Sequence, residues 1–576
     1  MDNLVIARVF AEIADLLEVK AENPFKIRAY RNAADVIAHA PHQLIALSDA
    51  QLREIPGIGK DLAAKIREIC ETGDAGLHRE LLAEFPPTML DLLQLQGVGP
   101  KTVALLYSQL KIRTLDELET AARNGRLREI KGMGPRKEEL ILKALQEQKQ
   151  HSGRHLMPDA VEAAEALIKD LRERCPGTDF VAVGSLRRGC ETCGDLDILA
   201  IGNAPEVMGA FTSYRLVDRI LGQGDTKSSV LLWGGLQADL RLVPPASRGA
   251  ALQYFTGSKS HNIALRDRAI ARGYKLNEYG LFRIADDAGV AGEDEEGIYE
   301  ALGLRFIPPE LREARGEIEA AESGSLPALI DAGLIRGDLH THTTETDGRD
   351  DIEAMAHAAR AAGLDYIAIT DHSRALAMAN GLDERRALEH ARRIREVGAR
   401  TEGITLLAGI ECDIRPDGSM DLADDCLAQL DLVIASVHSA FNQDEAQMTQ
   451  RLQRAVECPF VDIIGHPTGR LLLRREPYHV NIERLVDAAV RHGVALEINS
   501  QIDRLDLNDV HARLARERGA RLVISTDSHS QAGFGFLRWG AVVARRAWLT
   551  AADVLNVLPV AEFRAGLRRA RTPGRR

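Results

Sequence analysis

In the second half of the chain, short apolar runs alternate with longer stretches of helical periodicity. The runs are Ile335–Leu339, Tyr366–Thr370, Thr405–Ile410, Leu432–Val437, Val461–Gly465, Val494–Ile498 and Leu522–Thr526. Strand-helix alternation of this kind predicts a parallel β/α barrel of seven strands. The first 150 residues have a helical rhythm instead. Ile55-Pro-Gly-Ile-Gly-Lys60, Leu95-Gln-Gly-Val-Gly-Pro-Lys101 and Ile130-Lys-Gly-Met-Gly-Pro-Arg-Lys137 each precede apolar residues at helical spacing. Their first glycines, Gly57, Gly97 and Gly132, are 40 and 35 residues apart, so the unit is an internal repeat. Between these regions, Phe180–Val183 and Ile198–Ile201 read as strands, as does Leu-Gln-Ala-Asp239-Leu-Arg-Leu-Val.

Polar residues at the ends of these elements carry the candidate chemistry. Asp195 and Asp197 open the run Ile198–Ile201, and strand alternation puts both on one face. With Asp239 on a neighbouring strand they form a hard-oxygen set suited to two Mg2+ ions. Gly184 and Ser185, in a turn before them, offer N–H groups and a hydroxyl to phosphate oxygens. In the repeats, the Gly-x-Gly turns (Gly57/Gly59, Gly97/Gly99, Gly132/Gly134) point helix N-termini outward. Each has a Lys or Arg close behind, Lys60 and Lys101 among them, which suits a phosphate backbone. In barrels the chemistry gathers at the C-terminal ends of strands. There stand His340, His342, Asp347, Asp371, His372, Glu411, His438, His466, Asn499, Asp527 and His529. Imidazole with carboxylate suits Zn2+, Mn2+ or iron, and so many ligands exceed one tetrahedral shell, so two or three metals are expected.

Composition narrows the setting. At 576 residues several domains are expected. No apolar run is long enough for a membrane span, and no secretory leader pattern is present at the start. Seven scattered cysteines suit a reducing cytoplasm, and Cys190 and Cys193 read as incidental thiols. Net charge is −12, which argues mildly against nucleic acid, and no segment is a basic block, so any such affinity must come from local patches and backbone N–H groups.

The Gly-Ser turn, Asp195-x-Asp197 and the third strand acid resemble the nucleotidyltransferase superfamily, and Arg187-Arg188 narrows this to family X DNA polymerases. The glycine repeats resemble helix-hairpin-helix motifs, which grip DNA without reading sequence. Asn23-Pro-Phe-Lys-Ile-Arg-Ala-Tyr-Arg31 looks like the DNA-gripping segment of the N-terminal domain of DNA polymerase beta, which implies DNA contacts by Lys26 and Tyr30. The resemblance implies Lys65 as a Schiff-base lyase nucleophile, while Asp61 departs from that family's basic site. Tyr254-Phe-Thr-Gly-Ser-Lys-Ser-His-Asn262 matches the nucleotide pocket. It implies that Tyr254 and Phe255 pack on the incoming sugar, with Gly257, Lys259 and Asn262 at the nucleotide and Arg266 on the template side. Ser185 and Arg188, with Gly184 and Gly194, match the triphosphate side. The barrel motifs resemble the polymerase and histidinol phosphatase (PHP) domain, whose nine ligand positions map to His340, His342, Asp347, His372, Glu411, His438, His466, Asp527 and His529.

The expected architecture is multidomain, α+β and α/β. It comprises a lyase-like helical domain (1–90), fingers (91–150), a nucleotidyltransferase palm (151–243), a thumb (244–315), a charged helical linker (316–334) and a distorted (β/α)7 PHP barrel (335–576). The expected enzyme is a cytoplasmic, monomeric gap-filling polymerase. It would use deoxynucleoside triphosphates on gapped or 3′-recessed duplex, with Mg2+ in the palm and Zn2+ or Mn2+ in the barrel. Its barrel would supply 3′-5′ exonuclease, 3′-end processing or abasic-site cleavage. The rivals are a small-molecule phosphatase and a DNA-end-binding scaffold with degenerate sites.

Overall fold

A computed structural model of the chain describes residues 3–567, apart from 21, 39–43, 56, 87, 94, 96, 97, 131 and 152. The chain divides into two compact units, Met1–Ser152 and Gly153–Arg576.

The described residues of the first unit are helical, with no strand among them. Its core is one continuous apolar cluster drawn from every helix, including Phe10, Ile13, Leu17, Ile66, Ile69, Val103 and Leu106. Each buried large side chain contributes about 1.5–3 kcal/mol. The three glycine turns close alike: Ile58 N–H donates to Ile55 C=O (3.0 Å), Val98 to Leu95 (3.0 Å) and Met133 to Ile130 (2.9 Å). Each then opens a helix, Lys60–Thr72, Pro100–Leu110 and Pro135–His151. Gly57 and Gly132 adopt φ +89° and +91°, where a Cβ is strained. Gly97, their counterpart, lies outside the described residues.

The second unit begins with a five-stranded mixed sheet. Its spatial order is Asp179–Ala182, Asp195–Ile201, Gln237–Val243, Lys227–Leu232, Val217–Gln223. Only the second and third strands pair in parallel. Helices Met157–Arg174 and Glu206–Thr212 share an apolar core with this sheet. Helices Arg248–Thr256 and Lys259–Ala271, a three-stranded sheet and helix Glu295–Ala301 follow. Residues 316–334, which read as a charged linker, instead pack on this region. Ala321 and Leu329 join its core, and Glu317, fully buried, bonds His261 Nδ1 at 2.6 Å. A charge with a buried partner does not need solvent.

The barrel strands are Gly337–Thr341, Tyr366–Ile369, Thr405–Asp413, Leu432–Ser436, Ile463–Ile464, Ala495–Asn499 and Leu522–Ser525. All are parallel and in sequence order, and Thr341 bridges to Ser528 to bring the last strand against the first. The apolar runs located every strand within a few residues. Their ends differ where polar ligands continue the strand: His340 and Glu411 lie within strands rather than after them.

Candidate active sites in the palm and the barrel

In the palm, register brings the carboxylates together. Asp197 pairs with Asp239 across the parallel strands, and Asp195 lies two residues earlier on the same face. Burial, then the charges of Asp195 and Asp239, push the Asp197 carboxyl up to about 6. Burial also acts to raise Asp239, but hydrogen bonds from Gln237, Lys227 and Ser229 outweigh it and hold Asp239 below the usual carboxylate range. Lys227 Nζ stands 3.0 Å from Asp239 Oδ2, and Gln237 Nε2 donates to Oδ1 at 3.0 Å. Three crowded carboxylates beside one ammonium form an oxygen-donor set that fits a hard cation. Among the described residues, the His and carboxylate groups whose ligand atoms lie within 4.8 Å of one another are in the barrel, and the palm acids stand further apart than that.

Gly184 sits against Asp197 with φ +65°, and a Cβ there would lie 2.5 Å from Asp197 Oδ2. The Gly-Ser segment forms a short helix, Gly184–Arg187, rather than an open turn. Arg187 makes a two-pronged pair with Glu295 (3.0 and 2.6 Å). Arg188 donates to Glu313 (2.9 Å) and to Thr256 C=O (2.8 Å), so its guanidinium is tied to the segments after the palm. Tyr254 and Phe255 meet edge to face at 5.1 Å, and Arg241 lies over the Phe255 ring at 4.8 Å. Asn262 Nδ2 donates to Tyr254 C=O (2.6 Å) and Gly257 C=O (3.2 Å), which pins that turn. Lys259, Arg266 and Gly194 are exposed.

In the helical unit, Lys60, Lys101, Gly59, Gly99 and Gly134 are at the surface or open, with nothing within 4 Å of a Cβ built at those glycines. Lys26 is exposed and pairs with Glu22 at 3.5 Å, and Lys65 is half-buried on helix Lys60–Thr72. Tyr30 departs from its expected DNA contact. It is 5% exposed and packs on Phe10 with ring centroids 5.6 Å apart, so its apolar ring serves the core.

The barrel gathers all nine expected ligand positions at one mouth. Glu411 stands at the centre, with His466 Nε2 at 3.0 Å, His340 and His438 Nε2 each at 3.3 Å, and His372 Nδ1 at 2.7 Å. Asp527 Oδ1 is 3.1 Å from His342 Nε2, and Asp347 lies 3.4 Å from His372 and 3.5 Å from His529. Three groups have ligand atoms close enough to share an ion: His342, Asp347, His372 and His529; His340, His342 and Asp527; and His372, Glu411 and His438. His340 Nε2, both nitrogens of His342, His372 Nδ1 and Glu411 Oε2 are buried without a hydrogen bond. The close approach of His372 Nδ1 to Glu411 is thus not a hydrogen bond; atoms converging on a common point behave this way, and the donors fit divalent cations. His466 and Asp527 hold positive φ (27° and 52°), backbone strain placed at the site.

Without cations the cluster shares protons. Burial opposes charge on every imidazole, yet nearby carboxylates outweigh it at four, among them His529 beside Asp347 and Asp527. Asp527, Glu497 and Glu411 hold His340 well above its usual range, and His372 and His438 rise to about 10 and about 9. Burial wins at His342 and His466, which fall to about 4 and about 3. Bound metal would replace those protons.

Several supporting residues escaped the sequence reading. Glu497 accepts from His340 Nδ1 (2.9 Å) and His466 N–H (2.7 Å), which aims the His340 Nε2 inward. The signal was there: a fully buried acid inside the apolar run Val494–Ile498. Asp338 holds Thr526, and His390 Nε2 donates to Asp371 (2.7 Å), an acid the sequence did point to, which also accepts from Thr343 N–H (2.9 Å). Lys227 and Arg241 at the palm site carried no signal, because only cross-strand register places them.

Fold and sites define a chain that joins a helix-hairpin-helix region and a nucleotidyltransferase palm to a metal-suited phosphoesterase barrel. Four family models match flanking segments: a helix-hairpin-helix domain residues 1–75, a SAM-like helix-hairpin-helix tandem 89–147, the DNA polymerase beta thumb 251–313 and the PHP domain 338–501. A relative from Bacillus subtilis (strain 168), named DNA polymerase/3′-5′ exonuclease PolX, is 37% identical over 567 residues, 98% of this chain and 99% of its own. The chain therefore belongs to the family X DNA polymerases that carry a PHP domain. Its C-terminal third is also similar to probable phosphatases. One from Thermoanaerobacter sp. (strain X514) is 29% identical over 38% of this chain and 89% of its own, and one from Shewanella sp. (strain ANA-3) is 33% identical over 33% and 75%.

Proposed function

We propose that the chain is a DNA polymerase that also hydrolyses DNA 3′ ends, with the two reactions in separate sites. The observation that carries this reading is collinearity with a relative named DNA polymerase/3′-5′ exonuclease over 98% of the chain, spanning both sites. In the palm, Asp195, Asp197 and Asp239 would hold Mg2+, which when bound lowers the barrier to attack by a primer hydroxyl and stabilises the departing pyrophosphate. Asp239, once released from Lys227 by the metal, would help take the primer 3′-hydroxyl proton. The Gly184–Arg187 segment would present N–H groups and the Ser185 hydroxyl to the triphosphate, with Arg188 holding that segment through Glu313 and Thr256. Tyr254 and Phe255 would pack on the incoming sugar, Asn262 would face the base and Arg266 the template.

In the barrel, the nine ligand residues would hold two or three Zn2+ or Mn2+ ions, which supply a hydroxide and neutralise a phosphodiester. Glu497 orients the His340 imidazole, and the Asp413 carboxylate stands 3.5 Å from His438 Nδ1. The glycine turns, with Lys60 and Lys101, would grip the DNA backbone. Gap filling in base excision repair is the role we assign, with abasic-site cleavage as a further barrel activity. Lys65 is a candidate lyase nucleophile. No membrane role is proposed: no helix among the described residues is long and apolar enough to cross a bilayer.

A second reading, that the barrel is a small-molecule phosphatase, draws on the probable phosphatases that match its sequence. Incubating the protein with Mn2+ and either a 3′-recessed duplex or histidinol phosphate separates the two. Release of nucleotides from the duplex supports the proposal. Hydrolysis of histidinol phosphate alone contradicts it.

A further inference from the structure

The palm segment that runs from the Gly184–Arg187 helix to Glu191 is fastened from outside the palm. Arg546 ends helix Leu537–Arg546 of the barrel region and is only 8% exposed. Its Nη1 donates to Arg188 C=O at 2.8 Å and to Glu313 Oε1 at 3.0 Å, and its Nη2 lies 2.9 Å from Asp509 Oδ2. The same Glu313 oxygen accepts from Arg188 Nε at 2.9 Å, so Glu313 joins the two guanidinium groups. One turn earlier, Val542 fills the space where a Cβ at Gly189 would be, and Gly189 has φ +67°. A second strap lies four residues before Asp195, where Glu191 forms a two-pronged pair with Arg470 (3.0 and 2.7 Å). Arg470 is itself anchored to the carbonyls of Arg504 and Leu505.

We infer that Arg546 is a positioning residue of the nucleotide-addition site, acting through Arg188 and Glu313 to hold the segment that would receive the triphosphate. The inference rests on the polymerase reading of the palm. Its physical basis is the sharing of one buried guanidinium among three acceptors from three segments. Charge-assisted bonds of this kind fix geometry more firmly than neutral ones. Removing Arg546 leaves Asp509 paired with Arg315 at 2.8 Å and Glu313 paired with Arg188, so no buried acid loses its last cation. What is lost is the tether on the Arg188 carbonyl. Small displacements of a binding segment are costly: misplacement by about 1 Å reduces rate about a hundred-fold.

The test uses the full chain with Arg546→Ala and Arg546→Lys, measuring single-nucleotide addition and 3′-end hydrolysis on the same preparations. For Arg546→Ala we expect KM for the incoming nucleotide to rise about ten-fold or more, kcat to change less, and hydrolysis to stay within about two-fold. Arg546→Lys should recover part of the loss, since an ammonium keeps the charge but cannot span three acceptors. Adding Arg188→Ala should cost less in the Arg546→Ala background than in the parent. An unchanged KM, equal loss of both activities, or losses that simply multiply would each overturn the inference. A parent protein that adds no nucleotide would instead overturn the polymerase reading beneath it.

Discussion

Glu295 shows how much one side chain can hold. Arg187 and Arg312 both pair with it, and Arg312 is fully buried. Burial acts to raise the Glu295 carboxyl, but the hydrogen bond from Arg187 and the charge of Arg312 outweigh it and leave the group below its ordinary value. A depressed carboxylate stabilises the fold above its unfolded value, near 4.5, and loses that contribution as pH falls through the lower folded value. Glu295→Gln should therefore cost about 3–5 kcal/mol at neutral pH, because it strands a buried guanidinium. The cost should shrink as pH drops below that range, and denaturant unfolding at several pH values measures it. Gly184 gives a second residue-scale test. A methyl at this position meets the Asp197 carboxylate and adopts an unfavourable φ. Gly184→Ala should cut nucleotide addition by about a hundred-fold or more while 3′ hydrolysis continues, as primer extension and degradation assays would read.

At the scale of elements, the glycine turns make their own prediction. Lys60→Glu reverses an exposed charge at the start of helix Lys60–Thr72. Binding to duplex DNA should weaken regardless of sequence, and the salt slope should fall by about one, as fluorescence anisotropy at several salt concentrations would show. These turns and the barrel strands were legible because both rest on local chemistry: repeated glycines before helices, and apolar runs ended by His and Asp. Strand ends were less so, since His340 and Glu411 are ligands that also continue strands. Tyr30 misled because an aromatic beside basic residues looks the same whether it faces solvent or Phe10. The segment 316–334 looked like a linker because its charged residues are all acidic and its apolar ones are scattered, and the burial of Glu317 against His261 with Ala321 in the core shows otherwise. Lys227, Arg241 and Arg546 were beyond reach, because strand register and domain packing bring them to the palm site from elsewhere in the chain.

For the whole molecule, the central claim is that one chain holds two independent reactions. Their metals should be separable. Stripping the barrel with a chelator selective for transition metals, with Mg2+ retained, should stop 3′ hydrolysis and leave nucleotide addition, with elemental analysis reporting what was removed. The most direct measurement follows one labelled 3′-recessed duplex with Asp197→Ala and with His340→Ala, in the presence and absence of nucleotides. The account predicts that Asp197→Ala shortens the primer but never extends it, and that His340→Ala extends it but never shortens it. If either substitution abolished both reactions, or if neither changed them, the two-site assignment would be wrong.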